Sequence, residues 1–311
     1  MDNLKNIWTG RFDGDDALNQ RIFQKINFDK TVSPKDFVLQ GFALDEGVRR
    51  NKGRVGAKDA PDIIRKNLSN FPVVHPNFIL KDFGNIYCEN GNLEIAQQSL
   101  ANSVTKILVE DGKSVVLGGG HEVTFAHYSG IKNAFPGKKI GIINIDAHFD
   151  NREPENGVGT SSGTGFWQIA KEGEIHSLHI GIQRNSNTLK LFDTAHKYGM
   201  KYILAEELFY ENLPSFYQRI DELFAEVDAM YLTICMDVFN ASIAPGVSAP
   251  AYNGIFADSA FNHFFRHILK NEKLVAMDVA EVNPVYDIGE RTARLAASLI
   301  NDWFMFYHSE L

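Results

Sequence analysis

The sequence predicts an α/β protein of three layers, an α/β/α sandwich in which helices cover both faces of a mostly parallel sheet. From Lys113 onward, short β-branched or apolar runs alternate with longer stretches of helical period. Apolar residues are continuous along these runs instead of standing at every second residue, which indicates strands buried on both faces. No repeat, charge block or Pro/Ser-rich linker interrupts the 311 residues, so we expect one domain over residues 1–311.

The elements follow in chain order. The less regular first hundred residues predict a polar loop over residues 8–16, a first strand over residues 37–42, and helices over residues 59–67 and 93–110. Later strands are predicted over residues 114–117, 139–145, 177–182, 201–204, 229–234 and 273–279. Helices are predicted between and after them, over residues 122–133, 187–198, 214–226, 258–271 and 291–307.

Composition and charge exclude several classes of protein. Lys and Arg number 31 against 39 Asp and Glu, a formal net charge of −8, so no basic surplus exists for binding nucleic acid. No uncharged apolar run reaches about 18 residues, and Asp2, Lys5 and Arg11 stand where a signal segment would be apolar. The two cysteines are too few for a disulfide framework. We expect a cytoplasmic protein with no membrane partner.

Side chains that bind metals follow three predicted strands, and a carboxylate follows a fourth. In an open parallel sheet, ligands bind at the edge where the strands end, so these residues are expected to converge there. They are His121, Asp146, His148, Asp150, Cys235, Asp237 and Glu281.

The Asp146-x-His148-x-Asp150 triplet is the clearest indication of a metal site. A spacing of two in an extended segment points all three side chains the same way, and such a group is costly to bury unless a cation neutralises it. Oxygen-rich sites with a few imidazoles suit manganese or magnesium, with zinc, iron or cobalt as alternatives. A solvated, charged strand end is the competing interpretation, which the buried character of the preceding strand disfavours.

Four motif blocks resemble those of the ureohydrolases, the arginase and agmatinase superfamily. They are GGGH at residues 118–121, DAHFD at 146–150, DVFNASIAP at 237–245 and EVNP at 281–284. Further segments are similar to the formimidoylglutamases of histidine degradation, at residues 8–11, 45–57, 149–152, 161–164, 186–188 and 244–249. The resemblance implies an arginase-like fold.

The same resemblance implies two Mn²⁺ ions in the pocket. Matching positions assigns His121 and Asp150 to one ion, His148 and Asp237 to the other, and Asp146 to a bridging position. Cys235 stands where the family has a second bridging aspartate, so the second site is expected to be weak or to prefer another metal, since thiolate is a softer ligand than carboxylate. Alternatively, Cys235 packs as a small apolar residue.

The implied reaction is the hydrolysis of N-formimidoyl-L-glutamate to L-glutamate and formamide, at a linear amidine C–N bond. A metal pair supplies a nucleophile from water near neutral pH. Asp150 is expected to pass a proton to the departing amine, and Glu281 to pair with the amidinium group.

Arg152 bears on the choice of substrate. Arginases have an asparagine two residues after the last aspartate of the triplet, whereas a guanidinium here suits a carboxylate of the substrate. The segment Ser161, Ser162, Gly163 and Thr164 is expected to add hydrogen bonds to the substrate. Phe166 and Trp167 stand near the place of an arginase-type histidine, which disfavours an arginase.

Two other functions stay open. One is another ureohydrolase, such as an agmatinase or a guanidino-acid hydrolase, although a cationic substrate leaves Arg152 without a purpose. The other is a metal-depleted ureohydrolase-like protein that binds a ligand or partner, because a bridging aspartate is missing. A homo-oligomer is compatible with the resemblance. The remaining histidines, His127, His176, His179, His196, His263, His267 and His308, are expected to be mostly structural.

Overall fold

Parallel strands form the middle layer of the protein, as a computed structural model describes it for residues 2–73, 75 and 78–308. The strands are β1 (Ile26–Asn27), β2 (Phe37–Ala43), β3 (Leu80–Tyr87), β4 (Lys113–Leu117), β5 (Ile140–Ile145), β6 (His176–Ile182), β7 (Lys201–Leu204), β8 (Ala229–Cys235) and β9 (Leu274–Ala280). All neighbouring strands pair in parallel, which confirms the predicted sheet.

The order of the strands places the last one in the middle of the sheet. Across the sheet the order is β1-β3-β2-β4-β9-β8-β5-β6-β7. β9 therefore lies between β4 and β8, and Asp278 pairs in register with Val116 on one side and Thr233 on the other. Parallel neighbours need crossover connections, which the helices supply.

Helices cover both faces of the sheet. Among the described residues they are α1 (Asp2–Ile7), α2 (Glu46–Arg50), α3 (Ala60–Leu68), α4 (Leu93–Val109), α5 (Val123–Ala134), α6 (Gly165–Lys171), α7 (Leu189–Lys197), α8 (Leu213–Glu226), α9 (Ser259–Leu269) and α10 (Arg291–His308). α3, α8, α9 and α10 pack into one hydrophobic cluster, whereas α4, α5, α6 and α7 pack into a second. The two clusters make the predicted three-layer sandwich.

Successive side chains along a strand pack alternately into the two hydrophobic clusters. On β5, Ile143 and Ile145 belong to one cluster, while Ile140 and Ile142 belong to the other. This alternation follows from the period of two along a strand. Each fully buried aliphatic side chain contributes about 1.5–3 kcal/mol relative to an exposed one, so burial on both faces holds the central strands firmly in place.

Helix ends carry the residues that elementary chemistry favours there. Asn92 caps α4 by accepting a hydrogen bond from the backbone N–H of Ile95, and Asp258 caps α9 by accepting one from Phe261. Pro61 lies in the first turn of α3, where its missing N–H costs nothing. These local signals explain why the predicted helices agree with the structure to within two residues.

β3 is a strand that the sequence does not predict. Lys81 and Asp82 are charged yet buried, so the segment lacks the apolar run of the other strands. Asp82 accepts hydrogen bonds from Arg65 Nε at 2.8 Å and from Trp8 Nε1 at 2.8 Å, so the charge is paired inside the protein. The predicted polar loop at residues 8–16 therefore begins with a buried anchor, Trp8.

No helix within the described part of the chain is both long and apolar enough to cross a membrane.

Candidate metal centre and substrate cavity

The residues predicted to bind metal come from the central strands of the sheet. His121 follows β4, Glu281 follows β9 directly, and Asp146 follows β5 directly, while Cys235 ends β8. Because β4, β9, β8 and β5 are successive neighbours, their carboxyl ends lie side by side. The topology therefore brings these side chains to one edge of the sheet, as a parallel sheet requires of a site.

Asp146 is the centre of two groups of side chains. In the first, Nδ1 of His121 lies 3.0 Å from Asp146 Oδ2, and Cys235 completes the group. In the second, Nδ1 of His148 lies 3.2 Å from Asp237 Oδ2 and 3.5 Å from Asp146 Oδ1. Within each group the potential ligand atoms lie within 4.8 Å of one another. One carboxylate shared by two groups is the arrangement expected of a bridging ligand.

Asp150 extends the first group. Its Oδ2 lies 2.8 Å from Nδ1 of His121, so the same ring nitrogen faces both Asp146 and Asp150. The last member of the predicted triplet is therefore in contact with the site.

Unsatisfied oxygens indicate that the site suits cations. Asp237 Oδ1 is buried and has no hydrogen-bond partner among the described residues, and the buried Asp146 Oδ2 makes no hydrogen bond of regular geometry there, although His121 Nδ1 lies 3.0 Å away. Leaving a buried carboxylate oxygen unpaired is costly, and a metal ion removes that cost. Carboxylates with imidazoles match the preferences of Mn²⁺ and related ions, so the residues present fit such a group, with Cys235 as the one soft donor.

The buried imidazoles and carboxylates of the site shift one another's pKa. Burial opposes protonation of His121 and His148, yet the neighbouring carboxylates raise the pKa of both imidazoles well above the ordinary value. Burial raises the pKa of Asp237 and of the Cys235 thiol, where nearby carboxylates add to the effect. A divalent cation would stabilise the ionised carboxylates and displace these protons.

The backbone adopts a costly conformation at two of the site residues. Asp150 has φ of 45° and Glu281 has φ of 66°, both in the left-handed region that side chains other than glycine rarely adopt. Such residues cost of the order of 1–3 kcal/mol each and occur mainly where function requires them. Glu281 is held by its backbone N–H, which donates to Gly119, and by its carboxylate, which accepts the N–H of His121 at 3.0 Å.

Gly119 allows the loop after β4 to lie against the loop after β2. A Cβ at this position would lie 1.7 Å from the carbonyl oxygen of Leu44, so no side chain fits there. The glycine run before His121 is thus a requirement of close packing, as its sequence position suggests.

A cavity of about 410 Å³ opens onto the metal-binding residues. His148, Asp150, Cys235, Asp237 and Glu281 line it from the metal side. Arg50, Asn51, Lys52, Arg152 and Ser162 are among the residues that line the rest. A substrate in this cavity therefore meets carboxylates on the metal side and cations beyond them.

Comparison with known proteins assigns the family. The profile of the arginase family matches residues 35–305. The chain belongs to the arginase family. The match confirms the superfamily predicted from the four motif blocks.

Three relatives of the chain within the arginase family illustrate the similarity. A formimidoylglutamase of Geobacillus sp. is 42% identical over 313 residues, covering 98% of this chain and 95% of that protein. A formimidoylglutamase of Staphylococcus aureus is 37% identical over 304 residues, covering 95% and 96%. The crystal structure of Trypanosoma cruzi formiminoglutamase with Mn²⁺ has a TM-score of 0.80 at 26% identity, covering 88% of this chain and 94% of that one. These matches confirm the predicted resemblance to formimidoylglutamases.

The predicted substrate-binding residues of this arginase-family chain line two cavities, except Gly163, which lines neither. Arg152 and Ser162 line the cavity on the metal centre. Ser161 and Thr164 line a neighbouring cavity of about 570 Å³, which Arg152 also lines. The Thr164 hydroxyl already donates to the Ser161 carbonyl at 2.9 Å, and the carbonyl of Gly163 accepts the N–H of Arg152 at 2.9 Å. Ser162 is therefore the member of the segment that faces the metal side.

Asn51 and Lys52 are among the residues of the cavity wall that sequence reasoning missed. The Asn51 amide donates to Ser162 Oγ at 3.1 Å, and Lys52 forms a 3.7 Å ion pair with Glu155. Their signal was available, since both lie in the 45–57 segment that resembles formimidoylglutamases. The histidines expected to be structural include two buried ones, His127 and His179, whose side chains pair with polar groups inside the protein. His308 lies at the end of α10, and its side chain is outside the described part of the structure.

Proposed function

We propose that this chain hydrolyses N-formimidoyl-L-glutamate to L-glutamate and formamide, with two Mn²⁺ ions held by the residues around Asp146. The observation that carries the proposal is the single cavity that joins the metal-binding residues to Lys52 and Arg152. The identity of 42% to a formimidoylglutamase supports the same substrate.

The charges in the cavity match a substrate with a cationic amidine and two carboxylates. Arg50 is already saturated, since its guanidinium donates to Glu46 at 3.0 Å and to Glu94 at 2.7 Å. The Arg152 side chain has no hydrogen bond or ion pair to any described residue, and Lys52 has one long ion pair at 3.7 Å. Two available cations suit two carboxylates of one substrate.

Glu281 and Asp150 would act at the other end of the substrate. The Glu281 carboxylate lines the cavity and suits pairing with the planar amidinium, which it would orient toward the metal side. The metal ions, when bound, make water nucleophilic near neutral pH. Water adds to the formimidoyl carbon, the bond from this carbon to the glutamate nitrogen breaks, and Asp150 carries the proton to the departing amine.

His121 and Asp150 would hold one ion, His148 and Asp237 the other, and Asp146 both. Cys235 lies in the His121 group, and the resemblance to the family supports a place for it as the second bridging ligand. The ligand set fits Mn²⁺, and the thiol is the reason to measure metal content directly. The second ion, homo-oligomerisation, the cytoplasmic location and the single-domain boundary of residues 1–311 stay predictions.

The decisive experiment follows all products in one reaction. Purified protein is supplied with Mn²⁺ and offered N-formimidoyl-L-glutamate, agmatine, arginine and 4-guanidinobutyrate, while formamide, ammonia and urea are measured together. We expect formamide and glutamate in equal amounts from the first substrate and no urea from the others, with activity lost on chelation. Urea release would support the agmatinase or guanidino-acid alternative. Protein that binds no metal and releases nothing would support the metal-depleted alternative.

A further inference from the structure

A chain of buried side chains begins at His121 and leads away from the cavity into the sheet. His121 Nε2 lies 2.9 Å from Thr233 Oγ1, which lies 2.6 Å from Asp278 Oδ1. The other oxygen of Asp278 contacts Tyr231 OH and lies 2.7 Å from His127 Nδ1. All five side chains are at most 1% exposed. The chain is therefore sealed from water beneath the metal centre.

The chemistry of these groups determines which atom donates in each hydrogen bond. A carboxylate only accepts, so Thr233 must donate its single hydroxyl hydrogen to Asp278. The Thr233 oxygen is then left to accept, and its second partner is Nε2 of His121. Nε2 of His121 must therefore carry a hydrogen. In a neutral imidazole with Nε2–H, the lone pair lies on Nδ1.

Nδ1 is the nitrogen of His121 that faces the candidate metal centre. It lies 3.0 Å from Asp146 Oδ2 and 2.8 Å from Asp150 Oδ2. We propose that Thr233 and Asp278 are positioning residues that fix the Nε2–H tautomer of His121 and so present Nδ1 as a metal ligand. The inference rests on the proposed metal centre, and it concerns residues that none of the sequence motifs singled out.

The second imidazole of the centre has no such support. His148 also turns Nδ1 toward the carboxylates, but its Nε2 has no hydrogen-bond partner in the described part of the chain, and its side chain is 24% exposed. His148 is thus held only on its Nδ1 side by described residues, whereas His121 is also held through Nε2. Loss of the Thr233 hydroxyl should therefore weaken one metal site and spare the other.

The test measures metal binding instead of turnover. Metal-free wild type, Thr233→Val and Thr233→Ser are titrated with Mn²⁺, and free Mn²⁺ is followed by electron paramagnetic resonance. Valine keeps the shape of threonine but cannot accept a hydrogen bond, whereas serine keeps the hydroxyl. We expect Thr233→Val to lose about 10- to 100-fold in affinity at one of the two sites, the range seen when an outer hydrogen bond of a metal-bound histidine is removed. Thr233→Ser should bind as wild type does.

Asp278→Asn provides a second, independent variant. An asparagine amide can donate to the Thr233 oxygen, which would turn the hydroxyl hydrogen toward His121 and favour the wrong tautomer. We expect the same site to weaken, although Asp278 lies one hydrogen bond further from the metal. Circular dichroism and thermal unfolding of each metal-free variant show which of them are folded and can be interpreted.

A spectroscopic measurement on wild type does not depend on any variant of Thr233 or Asp278. In protein with ¹⁵N-labelled histidine loaded with diamagnetic Zn²⁺, we expect the His121 signal, identified by its loss in His121→Asn, to show hydrogen on Nε2. Hydrogen on Nδ1 would overturn the inference. So would a folded Thr233→Val that binds Mn²⁺ as wild type does, or a Thr233→Ser that is as weak as Thr233→Val. If wild type itself binds no Mn²⁺, the proposed function fails first and the inference falls with it.

Discussion

Removing the Arg152 guanidinium is the sharpest test of the proposed substrate. Its side chain contacts no hydrogen-bond or ion-pair partner among the residues that the structure describes, so Arg152→Ala leaves no other side chain of the free enzyme unpaired. Its only assigned role is toward a ligand in the cavity that it lines. A loss of activity in this variant therefore reports on the ligand and not on a broken internal network.

The size of the effect follows from the kind of bond removed. A hydrogen bond between charged groups contributes about 1.5–3 kcal/mol, which corresponds to about a tenfold to hundredfold change in kcat/KM. The carboxylate of the substrate does not change during attack at the amidine carbon, so the contact is equally strong in the ground state and in the transition state. Arg152→Ala should therefore raise KM and leave kcat nearly unchanged.

The assay compares two variants and two substrates. Formamide release from N-formimidoyl-L-glutamate is measured for wild type, Arg152→Ala and Lys52→Ala, and again with N-formimidoyl-L-glutamine, which lacks the side-chain charge. One of the two variants should lose its effect on the uncharged analogue, because the carboxylate it bound is absent. Arg184→Ala is the matched control, since Arg184 is an exposed arginine that pairs with Glu206 and does not line the cavity.

Two results would refute this reasoning. An unchanged KM in folded Arg152→Ala of normal metal content would remove the argument for a dicarboxylate substrate. A fall in kcat with KM unchanged would show that Arg152 acts on the transition state, which its proposed role excludes.

Three further predictions concern the metal centre and stability. Cys235→Asp should bind Mn²⁺ more tightly in a titration, because carboxylate is the harder ligand, and unchanged affinity would mean that Cys235 does not occupy the bridging position. Burial lowers the pKa of His179 to about 3, so this imidazole stays neutral in the folded protein, whereas in the unfolded chain it takes up a proton below about pH 6.5. Between pH 7 and pH 5 this difference should lower the free energy of unfolding by about 2 kcal/mol. Urea unfolding at the two pH values should show that loss in wild type and not in His179→Gln. Asp82→Asn should lower the free energy of unfolding by up to about 3–5 kcal/mol, because it removes the fully buried charge partner of Arg65 and leaves only the half-exposed Asp62, 3.3 Å away. A change below about 1 kcal/mol would contradict this account of β3.

The fold was largely predictable because the sequence of each central strand and helix by itself favours the structure that the segment adopts. Strands such as β5 and β8 are buried at every position and apolar at most of them, and the helices between them have a clear hydrophobic period. β3 escaped prediction because its place in the sheet depends on Arg65, which comes from another element and neutralises Asp82. Such a partnership leaves no trace in the local pattern of either segment.

The site was predictable to the extent that its residues lie in short motifs. The triplet of Asp146, His148 and Asp150 shows its chemistry within five residues, and the sheet topology supplies its contact with His121. The hydrogen bonds that Thr233 and Asp278 form behind His121 could not be predicted from short motifs. Thr233 and Asp278 lie 45 residues apart, and each resembles an ordinary strand residue until the register of β8 and β9 places them side by side.

The position of β9 has a consequence for how the protein folds. β1 to β4 and β5 to β8 form two blocks of the sheet that have no strand pairing with each other, and β9 joins them by pairing with β4 and β8. This strand is the last to leave the ribosome, yet its neighbour β4 ends more than 150 residues earlier. Contacts so distant in sequence form slowly. Until β9 inserts, His121 and Asp146 belong to separate halves of an unfinished sheet, so competence to bind metal should arise only once synthesis has passed Ala280. Metal binding at this centre therefore requires β9 to be in place between β4 and β8.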